Sequence, residues 1–536
     1  MPACSESDTG LVPGPKGRPR PAGAPSRESL ENRPQEGRRW TAAEAAGAPS
    51  RLQWSAIDWR QVYKEVRRLQ VRIAKAVREE RWGKVRSLQR LLARSRAAKL
   101  WAVRRVTSNR GKRTPGVDGV VWRGAQAKLA AVEDLRRRGY HAQPLRRVYI
   151  PKKNQKLRPL GIPTMKDRAM QALYLLTLNP IAEVTADPNS YGFRLRRCVA
   201  DAWGQCYIVL AKRHAPQWIF EGDIESCFDR ISHEWLLANI PVDRAVLRQW
   251  LEAGCLEDAK VHPTEAGTPQ GGIISPVIAN LALDGLERVA REAAPRVGRG
   301  TRPKVHVIRY ADDFIITARS RELLSEQVLP AVNEFLAVRG LRLSAEKSKI
   351  THISSGFEFL GADIRKRNRS FLMTPAKRSV VGFVRSLRDL LGARLTAPVW
   401  KVISELNCKI RSWVSFFRCL MASRTFRALD SQLFRSLWRW ACKRHPDKRS
   451  RWLKSKYFRT IGRRWVFSAK APSTNRQQEL FPEMQGTYLA LYSAGSTPIR
   501  RHVKIRADAN PFDPSYDGYL RMRLRNNRTL VAGATP

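Results

Sequence analysis

The sequence is short of acids. It carries 47 Asp and Glu against 99 Lys and Arg, a formal net charge of +52 over 536 residues. It has no unbroken apolar run near the ~18 residues that a helix needs to cross a membrane. Its 8 cysteines are sparse, and none forms a C-x-x-C pair. That excludes a secreted disulfide scaffold and suits small buried apolar residues in a reducing cytoplasm. No cysteine follows Cys442, so neither zinc ligands nor an H-N-H nuclease module is expected in the C-terminal stretch.

What is present narrows the class further. Apolar residues make up 43% and aromatics 8%, which excludes disorder throughout. The length alone suggests about three to four domains. An excess of roughly one positive charge per ten residues calls for a polyanion, and nucleic acid or an anionic membrane is the usual one. The basic residues recur through 60–113, 136–158, 365–388 and 443–464. A membrane anchor concentrates its charge; a long nucleic-acid track spreads it, as here.

Residues 1–52 are rich in Pro, Gly, Ala, Ser and Arg and read as a disordered leader. From 53 to 135 the pattern is helical. Ile57, Val62, Val66, Leu69, Ile73 and Val77 share one face, with Arg and Lys opposite. The span 136–365 interleaves strands and helices, which argues for an α+β domain. Leu145–Pro163 reads as a basic hairpin with Lys152, Lys153, Lys156 and Arg158 near its tip. Trp218–Phe220, Val305–Tyr310 and Phe314–Thr317 read as buried strands, and Asp167–Val184 as a helix. Residues 366–470 read as helical, with Trp and Phe on the inner face. Residues 471–536 read as a basic tail without strong periodicity.

Three short segments carry chemistry. Tyr310-Ala-Asp312-Asp313 places two acids between apolar strands. Alone, such a pair is most often a polar turn. In a confined site the two carboxylates repel, and a divalent cation relieves that repulsion. Asp223 follows a buried strand. If that strand lies beside the 305–317 hairpin, Asp223 faces Asp312, and the acids can bridge two Mg²⁺ about 3.5–4 Å apart, as in polymerases and nucleases. Thr268-Pro-Gln270-Gly-Gly-Ile-Ile-Ser-Pro276 is a Gly-rich turn before a helix, and Gln270 can meet a base or sugar.

In this order and spacing, with Asn189-Ser-Tyr-Gly-Phe-Arg194, these segments resemble the reverse transcriptases. More narrowly, the chain resembles the proteins encoded by bacterial group II introns, from about Trp54 to Asp513. The resemblance implies a right-hand polymerase: fingers and a palm with an antiparallel sheet, then an α-helical thumb or maturase domain. Asp223, Asp312 and Asp313 would be catalytic and would hold two Mg²⁺. Lys152, Arg158, Phe228 and Gln270 would bind the incoming dNTP, with Phe228 as a steric gate against a ribose 2′-hydroxyl. Lys347 and Gly361 would contact primer and template at the palm–thumb junction. The implied partners are intron RNA, a DNA target or primer and dNTPs, with no membrane, in a bacterial cytoplasm. Oligomeric state stays open.

The implied activity is RNA-directed DNA synthesis together with assistance to intron splicing, for retrohoming. Two alternatives stand beside it. One is a splicing-only RNA-binding maturase; the other is a reverse transcriptase domesticated for CRISPR adaptation or phage defence. Two departures are visible. Leu195 stands where the family usually has Pro, and no endonuclease module is expected after the Asn510-Pro-Phe-Asp513 segment.

Overall fold

The structure, a computed structural model, describes residues 53–151, 157–257, 260–268, 271–295, 304–368, 370–462, 464–470, 484–485 and 488–528. It opens with helices α1 (Trp59–Arg78), α2 (Trp82–Arg94) and α3 (Arg96–Thr107), followed by α4 (Gly124–Asp134). Asp58 caps α1 by accepting from Arg60 N and Gln61 N. Val62, Val66, Leu69, Ile73 and Val77 all bury, as their spacing predicts. The loop after α3 is tied down by buried Arg168, which donates to the carbonyls of Gly111, Thr114 and Pro163.

Next come the hairpin β1 (Leu145–Pro151) and β2 (Leu157–Ile162), then α5 (Met165–Thr185). Most of α5 is buried all round, and it is the spine against which α1, α2 and α3 pack. Helix α6 (Val199–Leu210) leads into β3 (Trp218–Asp223) and the single turn α7 (Cys227–Arg230). Then follow α8 (His233–Asn239), α9 (Arg244–Glu252), β4 (Cys255–Glu257), β5 (Lys260–His262), α10 (Ser275–Leu283) and α11 (Leu286–Glu292). The hairpin β6 (His306–Tyr310) and β7 (Asp313–Ala318), helix α12 (Leu329–Ala337) and β8 (Lys349–His352) complete the palm.

The palm sheet has order β6-β7-β3-β8, antiparallel throughout. Both of its faces are covered. Val307, Phe314, Ile316 and Phe220 join a core with α5 and the N-terminal helices. Ile308, Ile315 and Ile219 join a second core with the C-terminal helices. Alternation along each strand sends neighbours to opposite cores.

Beyond the palm lie β9 (Phe357–Phe359), β10 (Ala362–Arg367) and β11 (Ser370–Pro375), then α13 (Lys377–Ala393), α14 (Val399–Phe417), α15 (Ser423–Arg444) and α16 (Ser450–Tyr457). The sequence shows little strand signal past about residue 374, yet β12 (Phe458–Ile461), β13 (Arg464–Lys470), β14 (Met484–Gln485) and β15 (Tyr488–Ala490) form a further antiparallel sheet. Phe458, Phe467 and Leu489 bury into the helical core. The last segment also folds. Helix α17 (Asp517–Arg528) docks through Arg523, and Arg67 and Arg78 of α1 pair with Asp517 and Asp513. Among the described residues no helix is long and apolar enough to cross a membrane.

Candidate active site

The two inner palm strands carry acids at the same end. Asp223 closes β3, Asp313 opens β7, and the two are direct cross-strand partners. Tyr310, closing β6, pairs with Asp313 from the other side. Ala311 takes a left-handed φ of 59°, which lets the chain reverse within Ala311-Asp312. Residue parity puts Asp223 and Asp313 on the sheet face of Ile219 and Ile315. The sequence alone sets Asp223 opposite Asp312; the register corrects this, because the residue opposite Asp223 is Asp313, and Asp312 lies in the adjoining turn.

This arrangement works against stability. Directly opposed like charges weaken an antiparallel pair. Burial, with Asp312 and Asp223 alongside, pushes the Asp313 carboxyl up to about 7; Arg378 opposes the rise and Glu221 adds to it. The Lys347 ammonium donates to Asp223 Oδ2 at 2.7 Å, and that hydrogen bond raises its own pKa. The turn carrying Lys347 is fixed to the same strand end, since Ser344 N donates to Asp223 O at 2.8 Å. Lys347 therefore belongs to the carboxylate cluster. Gly361 sits elsewhere, at the foot of the thumb: its carbonyl accepts from Ala376 N, just before α13.

Three carboxylates on one strand end are a fitting donor set for hard divalent cations, which take oxygen ligands. Their oxygens are not all within 4.8 Å of one another. Among the described residues the single trio that close is Cys198, Asp201 and His502. There, however, the Arg523 guanidinium already lies 2.5 Å from Asp201 Oδ1.

The nucleotide-side residues are partly visible. Lys152 and Gln270 lie outside the described residues, and Arg158 is placed by its backbone, opposite Ile150 in the β1–β2 ladder. Half-buried Phe228 sits on α7, five residues past Asp223. The Gly-rich segment reaches both: Thr268 N donates to Phe228 O at 2.6 Å, and Gly271, at φ 116°, seats against β2. A Cβ on Gly271 would lie 2.5 Å from Gly161 O. The backbone on either side of Gln270 thus bridges α7 and the finger hairpin.

Behind the acidic turn lies a polar frame. Asn189 O accepts from Arg309 N at 3.0 Å, and Tyr191 N donates to Arg309 O at 2.9 Å, so residues 189–191 extend the sheet beside β6. The buried Arg309 side chain donates to Asn280 Oδ1 at 3.1 Å and pairs with Asp284. Burial pushes Asp284 up to about 6, against the pull of Arg309. An arginine inside Val307-Ile308-Arg309-Tyr310 is the sequence signal for this frame. Leu195 has a local reason as well: its N–H donates to Glu183 Oε1 at 3.2 Å, a bond that proline lacks.

Comparison with known proteins fits this geometry. Residues 150–364 match the family described as reverse transcriptase (RNA-dependent DNA polymerase), residues 54–135 the N-terminal domain of reverse transcriptase, and residues 381–458 the group II intron maturase-specific domain. Protein YkfC of Escherichia coli (strain K12) is 34% identical over 339 residues, covering 56% of this chain and 88% of that protein. The group II intron-encoded protein LtrA of Lactococcus lactis subsp. cremoris is 31% identical over 346 residues, 52% of this chain and 56% of LtrA. The chain belongs to the group II intron-encoded reverse transcriptase and maturase family. A putative COX1/OXI3 intron 2 protein of Saccharomyces cerevisiae is a more distant relative, 23% identical over 58% of this chain and 42% of its own length. The fold and the family are those of an RNA-directed DNA polymerase, and the match spans only about half the length of LtrA.

Proposed function

We propose that this reverse transcriptase copies its intron RNA into DNA for retrohoming and binds the same RNA to assist splicing. The observation that carries the reading is the pairing of Asp223 with Asp313 across β3 and β7, with Asp312 in the adjoining turn. Asp223, Asp312 and Asp313 would hold two Mg²⁺. Bound there, divalent cations supply the Lewis acidity that activates a primer 3′-hydroxyl and neutralises departing pyrophosphate.

The chain's own residues do the rest. The β3–β7 register sets Asp223 beside Asp313, the adjoining turn carries Asp312, and Lys347 orients Asp223. The finger hairpin offers Lys152 and Arg158 to the triphosphate, because phosphate oxygens take cationic donors. Gln270 lies beside the nascent pair, Phe228 fills the space of a 2′-hydroxyl, and Gly361 lets the backbone approach the primer. Basic residues of the N-terminal helices and of the thumb meet RNA phosphates.

The test is extension of a DNA primer on an RNA template with dNTPs and Mg²⁺. Extension is expected from the native chain and not from Asp312→Ala. Equal extension by both would overturn the assignment. Splicing assisted by Asp223→Ala should persist, since RNA folding needs contacts rather than catalysis. Loss of splicing with RNA affinity intact would contradict that separation of roles.

A further inference from the structure

Phe193 combines three unfavourable features. It is a large apolar side chain left 53% exposed. Its backbone is left-handed, at φ 57°, a conformation a bulky residue adopts only when its surroundings impose it. It also joins neither apolar core.

The surroundings do impose it. On one side, Asn280 Nδ2 donates to Gly192 O at 2.8 Å. On the other, Arg194 donates to the carbonyls of Asp187 and Ser190 and pairs with Glu183 at 2.9 Å. Gly192 itself lies flat on the acidic turn; a Cβ there would be 2.4 Å from Ala311 N. Phe193 is thus carried on the frame that positions Asp312. What this strained, exposed ring meets is Phe228: the centroids are 6.5 Å apart and the planes 81° apart, an edge-to-face contact.

We propose that Phe193 is a specificity-determining residue that buttresses Phe228, so that the Phe228 ring keeps its place against an incoming ribose. The inference rests on the reading of Phe228 as the sugar gate. Phe228 stands on a helix of a single turn and packs in part against the core that holds α5, so its place also needs a stop outside that core. An edge-to-face neighbour tied to the catalytic turn supplies that stop. Phe193 acts through Phe228 and does not itself touch the nucleotide.

The experiment measures kcat/KM for single dNTP and rNTP additions on an RNA template and DNA primer, using the full chain. The variants are Phe193→Ala, Phe193→Gly, Phe228→Ala and the double change. Phe193→Ala should lower the deoxy/ribo ratio by roughly 3- to 10-fold, the scale of one aromatic pair. The shift should come mainly from faster rNTP use. Phe193→Gly should lower the ratio equally while holding or raising Tm, because glycine suits the positive φ; lost discrimination then cannot be blamed on misfolding. Phe228→Ala should lower the ratio further, and the double variant should fall no lower than Phe228→Ala alone. If Phe228→Ala leaves the ratio unchanged, the gate reading itself fails. If Phe228→Ala lowers it and the Phe193 variants do not, the buttress is overturned. It is also overturned if the Phe193 variants slow both nucleotides alike or only weaken template-primer binding.

Discussion

Two buried acids show how differently one chain treats a carboxylate. Asp201, on α6, is fully buried, yet its pKa is held at about 2: burial pushes it up, but the hydrogen bond from His502 and the charge of Arg523 outweigh that. Asp313, on β7, is pushed up to about 7 by burial and by Asp312 and Asp223 beside it. The first acid is matched with the Arg523 guanidinium and ties α17 to the palm. The second is set against like charge. An arrangement that weakens the fold and is nonetheless built into strand register is what a site reserved for external cations requires. Asp201 serves stability; under the proposed function Asp313 serves a ligand.

That contrast can be broken by mutation. The largest effect is expected from Asp223→Asn, which should cut primer extension by roughly 10³-fold or more, beyond the loss of a single stabilising donor. Its Tm should stay the same or rise. A Tm fall of several degrees would mean that the acid is structural. Arg523→Ala should do the reverse. Stranding buried Asp201 costs about 3–5 kcal/mol, seen as a lower denaturation midpoint, while extension below that midpoint persists.

The pH dependence sharpens the same comparison. The folded value of Asp313 lies above its free value of 3.8. Its penalty is therefore absent below about pH 4, grows through the interval up to about 7, and is complete above it. Asp313→Asn should raise the Tm of metal-free protein at pH 8 and do nothing near pH 4. For Asp201 the sign is opposite: its contribution is present above about pH 4 and lost as pH falls toward about 2. Arg523→Ala should thus matter less in strong acid. The smallest effect concerns the surface. RNA affinity should fall with salt at a log–log slope of roughly −0.7 per phosphate contacted on single strands. A flat response would separate the charge from RNA binding.

Much of this was legible in the sequence because strands and helices with a wet and a dry face advertise their period. The palm strands, the finger hairpin and α1 follow from alternation and from three- to four-residue spacing. The convergence of Asp223 with Asp313 followed from acids placed at strand ends, although pairing of β3 with β7 is a long-range fact that no local pattern states. Other features left weaker traces. β12 and β15 are short, and β12, β13 and β15 each bury only one or two side chains, so their signal is lost among Pro, Ser and Arg. The docking of α17 depends on Asp201 meeting His502 and Arg523, which lie 301 and 322 residues further along the chain and reach it only through the fold. The contact of Lys347 with Asp223 arises from a turn folded back onto β3. Phe193 was visible only as part of a motif; its strained backbone and its contact with Phe228 are properties of three dimensions.

The central claim is most directly tested by anomalous diffraction from crystals of the complex with template-primer and dNTP grown in Mn²⁺. The account predicts two peaks about 3.5–4 Å apart, in contact with Asp223, Asp312 and Asp313. Peaks absent from these carboxylates, or found instead at Cys198, Asp201 and His502, would contradict it.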